Sequence, residues 1–306
     1  MNAFRSACTV DGDTRKVDTK SISMYCINTA MMAKILVYVL YYNETSKAIA
    51  YNIARDTVPL CHFVPKRLEP HRLFESQFYL DDHTGEDWTN YDYVGTISYR
   101  FPSRRGIGVK ETRSYIAARV AEARDAYADV VILNEPRTDK SIVEESKGHG
   151  EGFTRCWFGL LQRLGYSHSS ITDSRHPVCY NNYWVAKPHV LKAYCNFVRH
   201  AWQVLQASPD LIQIFDMDAH YQPDPLTQTL ALGRERLTEI FDKPYYAMYP
   251  FVFERFACFY FSEHGYKTYP DSAERTPNIT VSFIAVTFCT LVLLILLFIR
   301  IPVVLT

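Results

Sequence analysis

The chain lacks an excess of either charge: among 306 residues, 33 Lys and Arg stand against 33 Asp and Glu. A nucleic-acid binder carries a basic surplus, so the balance excludes that role. Glycine is scarce, at 12 residues, which disfavours a loop-rich scaffold. No P-loop, GxGxxG, HExxH or GxSxG elbow occurs, which removes the well-marked nucleotide, zinc and serine-hydrolase classes. The His residues show no tight zinc spacing. The 8 cysteines contain no CxxC. A chain of this length does not need staples, so they read as mostly buried free thiols in a reducing compartment. The first 20 residues are polar and are not a signal peptide.

What is present is apolar and aromatic. Hydrophobic residues make up 48% and charged ones 22%, the proportions of a folded chain. Tyr and Phe number 22 and 18, in keeping with a densely packed α/β domain. Charge vanishes from Thr276 to Ile299, and Val281–Ile299 reads VSFIAVTFCTLVLLILLFI. About 20 apolar residues span the hydrocarbon layer of a bilayer. We therefore expect a transmembrane tail anchor over 279–300, with the rest on the cytosolic face. A lipid-anchor signal at Asp271–Ala273 would need a secretory leader. The sequons at Asn43 and Asn278 would matter only in a lumen.

Residues 1–32 show no period and read as a flexible preface, with Met24, Met31 and Met32 as alternative starts. Lys34–Tyr42 is a continuous apolar run of the kind that forms a doubly buried parallel strand. A helix is expected over Thr45–Arg55, with Thr45 or Ser46 as cap. Further strands are expected at Val58–Val64, Tyr93–Tyr99, Asp129–Leu133 and Tyr183–Ala186. Helices are expected near Glu75–Leu80 and over Glu111–Tyr127, Glu151–Leu164 and His189–Leu205. Alternating strands and helices imply a mainly parallel sheet covered on both faces. Ligands of such sheets bind beyond the carboxyl ends of the strands. Asn43, Arg100 and Asn134-Glu135 stand at such ends.

Two features carry candidate chemistry. Asp216-Met217-Asp218 follows LIQIF, and if LIQIF is a strand the two carboxylates share a face. They could then hold Mg²⁺ or Mn²⁺, or they could cap a loop. Arg100, Arg104, Arg105, Lys110 and Arg113 crowd one segment that suits a phosphate or an anionic membrane, or is a solvated loop.

The order YVGTISYRF, DVVIL, NNYWVAKPHVLKAYCNFVRHAWQVL and PFVFERFACFYFSEHGYKTY resembles a glycosyltransferase family of bacterial capsular-polysaccharide clusters with relatives in large DNA viruses. The family's His-Tyr-Arg-Arg-Tyr-Phe landmark stands here as Ser98-Tyr99-Arg100-Phe101. Trp88-Thr89-Asn90 takes the upstream aromatic position, Asn182-Tyr183-Trp184 leads into the long helix, and Glu254-Arg255 closes. The resemblance covers about 33–270 and implies a GT-A-like nucleotide-sugar fold over 33–275. It implies a nucleotide-sugar donor bound by Tyr41, Tyr42, Asn43, Tyr99 and Arg100. The glycan or lipid-linked acceptor would be lined by Asn181, Asn182 and Trp184. Catalytic candidates are Asp216, Asp218, Glu254 and Arg255, with Asp216 and Asp218 as the candidate metal pair. Ser98 replaces the landmark His, and two other readings stay open. One is a non-catalytic, membrane-anchored sugar- or partner-binding protein of the same fold. The other is a metal-dependent phosphoesterase using Asp216 and Asp218.

Overall fold

The computed structural model describes residues 33–55, 60–69, 71–134, 141–172, 179–221 and 233–270. The chain divides into two units, Met1–Met32 and Ala33–Thr306, and every described residue lies in the second. The expected preface and the expected anchor over 279–300 fall outside the described residues. Among the described residues no helix is long and apolar enough to cross a membrane.

The elements alternate as expected. In chain order they are β1 (Ile35–Tyr41), α1 (Glu44–Arg55), β2 (Cys61–Arg67), a 3-10 turn (Phe74–Tyr79), β3 (Tyr93–Ser98), α2 (Phe101–Arg105), α3 (Thr112–Asp125) and β4 (Val130–Ile132). The second half holds α4 (Ile142–Glu145), α5 (Gly150–Arg163), α6 (His168–Thr172), β5 (Trp184–Ala186), α7 (Pro188–Gln206), α8 (Pro209–Phe215), α9 (Arg234–Phe241), α10 (Tyr249–Glu263) and β6 (Thr268–Tyr269).

The sheet order is β2-β1-β3-β5-β4-β6. The pairs β1–β2, β1–β3 and β4–β6 are parallel, while β5 runs antiparallel to both neighbours. Every residue of β1 is buried, because each face of the strand meets its own core. Leu36, Tyr38 and Leu40 join a large aromatic core with residues of α5, α7 and α10. Ile35, Val37, Val39 and Tyr41 join a smaller core with residues of α1 and α3. This is the period-2 alternation of a strand sandwiched between two layers.

β3 and β5 approach very closely at Gly95, which pairs with Val185. A Cβ there would lie 2.6 Å from Val185 Cα and would also strike the Trp184 carbonyl oxygen. Only glycine allows this spacing. α10 is apolar nearly all round, as befits a helix surrounded by protein, and it buries almost every residue from Tyr249 to Phe261.

Three local expectations need correction. LIQIF lies in α8, not in a strand. Pro209 at its start presets a helical φ but removes a donor, which suits a first helical turn and not a ladder. The cap of α1 is Asn43, whose Oδ1 accepts from the Ser46 N–H at 2.9 Å, while the Ser46 hydroxyl returns to the Asn43 backbone. β2 lies three residues later than expected and keeps Pro65 at a sheet edge, where a missing N–H costs little. The five described cysteines, Cys61, Cys156, Cys179, Cys195 and Cys258, are buried. Cys8, Cys26 and Cys289 lie outside the described residues.

Candidate functional site

The topology gathers polar groups at one edge of the sheet. β1, β3 and β4 end there, and antiparallel β5 begins there. Tyr42, Tyr99-Arg100, Asn134 and Asn181–Tyr183 therefore converge beyond the strand ends, the usual ligand position of an open α/β sheet. Glu135 lies outside the described residues. The 3-10 turn and α10 pack against each other and add Glu75 and Glu254.

Tyr42 leaves β1 on the side of the large core, and its ring meets those of Phe74 and Tyr99 edge-on at 6.4 Å each. Its hydroxyl has no hydrogen bond of ordinary geometry among the described residues. Burial, and then the nearby Glu75 carboxylate, hold its pKa well above the usual phenol value. Arg100 donates from Nε to the Tyr99 hydroxyl at 3.0 Å, with its guanidinium 5.5 Å from that ring. Arg100 also sits in the field of Glu75 and Tyr183.

Glu75 and Glu254 are the chemically unusual pair. Burial raises the pKa of each, and the Glu254 charge raises Glu75 further. Arg100 and Tyr42 pull Glu75 partly back, and Arg255, the Asn181 N–H and Arg104 pull Glu254 back. Both side chains are closely surrounded by protein yet keep partial exposure, as groups on a site's floor do. Asn181 gives its backbone N–H to Glu254 Oε1. Its φ there is 61°, a left-handed turn that Asn tolerates better than most residues. Asn182, also left-handed at φ 55°, is buried and donates to Ser76 Oγ at 3.0 Å.

The other expected residues divide into structural roles. Tyr41 faces the opposite core from Tyr42, edge-on to Tyr51. Asn43 caps α1. Trp184 is fully buried and stacks on Tyr79 at 5.3 Å, so it is core and does not line an acceptor site. Arg255 turns inward: it donates to the Phe251 carbonyl at 2.7 Å and lies 4.6 Å from the Tyr180 ring. Its Nη2 approaches His149 Nε2 at 3.5 Å, and His149 Nδ1 meets the Ala219 carbonyl at 3.1 Å. Burial, and then Arg255, lower the His149 pKa to about 4.

Asp216 is already paired, accepting from the Tyr249 hydroxyl at 2.8 Å and from Arg72 Nη1 at 3.4 Å. Asp218 accepts the His220 N–H at 2.8 Å and bridges to Ala247. With LIQIF helical, the shared-face premise for these two carboxylates is gone. Among the described residues no group of three or more His, Cys, Asp or Glu is placed to hold a metal ion.

The basic segment also divides. Arg113 is buried and donates to the Ile53 and Ala54 carbonyls at the end of α1, while Arg105 donates to the Tyr115 hydroxyl at 2.9 Å. Arg104 and Lys110 remain exposed. Ser98, standing where the landmark His would be, is sealed in the sheet and shares a 2.7 Å hydrogen bond with the Tyr183 hydroxyl. Sequence reasoning missed Glu75 and His149 as members of this region. For Glu75 the one signal is a carboxylate inside LFESQFYL, a segment flanked by apolar and aromatic residues at both ends. Compared with protein-family models, curated proteins and solved structures, the chain gives no match in any of the three.

Proposed function

We propose that the chain is a glycosyltransferase that moves a sugar from a nucleotide-diphosphate donor to a glycan or lipid-linked acceptor. The observation that carries this reading is the convergence of Arg100, Tyr42, Tyr99, Glu75 and Glu254 at the carboxyl edge of the sheet. A mostly parallel sheet with its polar groups at that edge is in keeping with a GT-A-like nucleotide-sugar fold. In this reading Tyr42 and Tyr99 flank the nucleotide. Arg100, with exposed Arg104 nearby, offsets charge as the diphosphate leaves. Glu254, held by the Asn181 N–H and raised by its burial, accepts the proton of the attacking hydroxyl. Glu75 restrains Arg100 and keeps negative charge beside Glu254, which favours proton capture. The described residues form no metal-holding cluster, and no step here depends on one. The apolar segment 279–300 would hold the domain at the membrane that displays the acceptor.

One observation favours a second reading, a sugar- or partner-binding protein without turnover. Ser98 cannot replace an imidazole in proton transfer, and its hydroxyl is bonded to the Tyr183 hydroxyl and the Arg100 N–H.

The test uses the full chain in detergent, screened against nucleotide sugars with Mg²⁺ or Mn²⁺ for binding, donor hydrolysis and transfer. Turnover that falls at least ~100-fold in Arg100→Ala, with unchanged circular dichroism, supports transfer. Donor binding without turnover supports the second reading. A folded chain that neither binds nor turns over any nucleotide sugar overturns both.

A further inference from the structure

A second concave site lies at the opposite edge of the sheet, between the segment leading into β3 and the start of α7. It is a cavity of about 510 Å³, lined in part by Trp88, Tyr91, Pro188, Cys195, Lys192 and Arg199. That volume lies within the range of small-molecule sites, about 300–1,000 Å³.

The walls are unequal in what they can still bond. Its two carboxylates are committed to protein partners. Glu86 accepts from Trp88 Nε1 at 3.2 Å and from the Tyr38 hydroxyl, stands 3.1 Å from His83 Nδ1, and pairs with Lys66 at 3.6 Å. Asp87 accepts from the Thr89 N–H at 3.0 Å, the Thr89 hydroxyl at 2.5 Å and Asn90 Nδ2 at 2.6 Å. Trp88 has a single N–H, and it points inward to Glu86 and Tyr38, so the indole presents only apolar surface to the cavity.

The cations are less committed. Lys192 is exposed and has no hydrogen bond or ion pair among the described residues. Arg199 gives Nη1 to the Asp81 carbonyl at 3.0 Å and Nη2 to Asn196 at 2.7 Å, which leaves other guanidinium N–H groups to offer. Lys192 and Arg199 stand seven residues apart on α7, two turns along one face, with Cys195 between them. His189, also on the lining, is exposed on the preceding turn. The hydrogen-bonding capacity still unspent is therefore that of the Lys192 and Arg199 donors, above an aromatic floor.

We infer that this cavity binds an organic anion, a carboxylate carried on an apolar or aromatic body. The carboxylate meets Lys192 and Arg199, and the body lies against Trp88 and Tyr91. The inference does not rest on the glycosyltransferase reading, since the two sites use different edges of the sheet and share no residue.

The experiment is calorimetric titration of the full chain in detergent with 1-naphthoate, and with its neutral counterpart 1-naphthamide under the same conditions. Naphthoate should bind at least ~10-fold more tightly than naphthamide, as one charge-assisted contact allows. Lys192→Ala and Arg199→Gln should each remove most of that preference, while Lys47→Ala, a change on α1, should leave it intact. Lys192 is exposed, so its loss does not threaten the fold. Equal binding of acid and amide overturns the inference. So do an unchanged preference in Lys192→Ala and the absence of binding at millimolar naphthoate.

Discussion

Gly95→Ala is the sharpest perturbation of the frame that carries the candidate site. The added methyl would sit 2.6 Å from Val185 Cα and against the Trp184 carbonyl oxygen. Both obstacles are backbone, so no side-chain rotation relieves them. β3 and β5 must separate by roughly 1 Å to restore ordinary carbon contact near 3.5–4.0 Å. That shift strains the three paired positions Val94–Ala186, Gly95–Val185 and Thr96–Trp184. Overpacking within a well-packed core costs about 1–3 kcal/mol, and a clash with paired backbone belongs at the upper end. For a domain of this size, about 3 kcal/mol corresponds to a fall in Tm of roughly 6–12 °C. Thermal unfolding followed by far-ultraviolet circular dichroism reads this directly. Because β3 leads into Arg100 and β5 follows Asn182, the donor binding that the proposed function entails should weaken as well, even below the new Tm. A Gly95→Ala protein that melts within about 2 °C of the wild type would refute the close approach of these strands, and the assembly of the site with it.

Two further outcomes follow from single side chains. Arg113→Ala removes a buried guanidinium that satisfies the last carbonyls of α1, a loss of about 1.5–3 kcal/mol that urea unfolding should show, whereas Lys110→Ala, at an exposed position, should be neutral. Equal stability of the wild type and Arg113→Ala would mean that water satisfies those carbonyls as well as Arg113 does. His149 supplies a pH dependence, because its folded pKa is lowered from 6.5 to about 4, first by burial and then by Arg255. The unfolded chain takes up a proton that the folded chain refuses, so this contribution to stability is whole above about 6.5 and is lost as pH falls toward 4. His149→Phe should lessen the fall of Tm in that window and leave the pH dependence above it unchanged; an identical profile in the variant would contradict the half-buried, neutral imidazole.

Much of the frame was legible in the sequence. KILVYVLYY reads as a doubly buried strand because a parallel strand between two layers has no polar face to show. The helices α3, α5 and α7 follow from their apolar spacing. LIQIF misled because five residues of this kind fit a strand or a short helix equally, and only its packing beside α5 and α7 decides. Tyr41 and Tyr42 look alike in sequence, but the pleat sends one to each core and leaves only Tyr42 at the site.

The sequence by itself determined the alternation of elements, the uncharged segment at 276–299 and the polar residues at the strand ends. These are local properties, set by period, turn residues and solvent preference. The tertiary structure alone decided which polar groups meet. It brought Glu75 beside Tyr42 and Arg100, set the Asn181 N–H on Glu254, and buried Trp184 and Arg255. It also reversed β5, which places Asn181 and Asn182 beside the end of β3. Those encounters join residues from separate elements, far apart along the chain. The pKa shifts that make the carboxyl pair unusual come from burial, which no local pattern encodes.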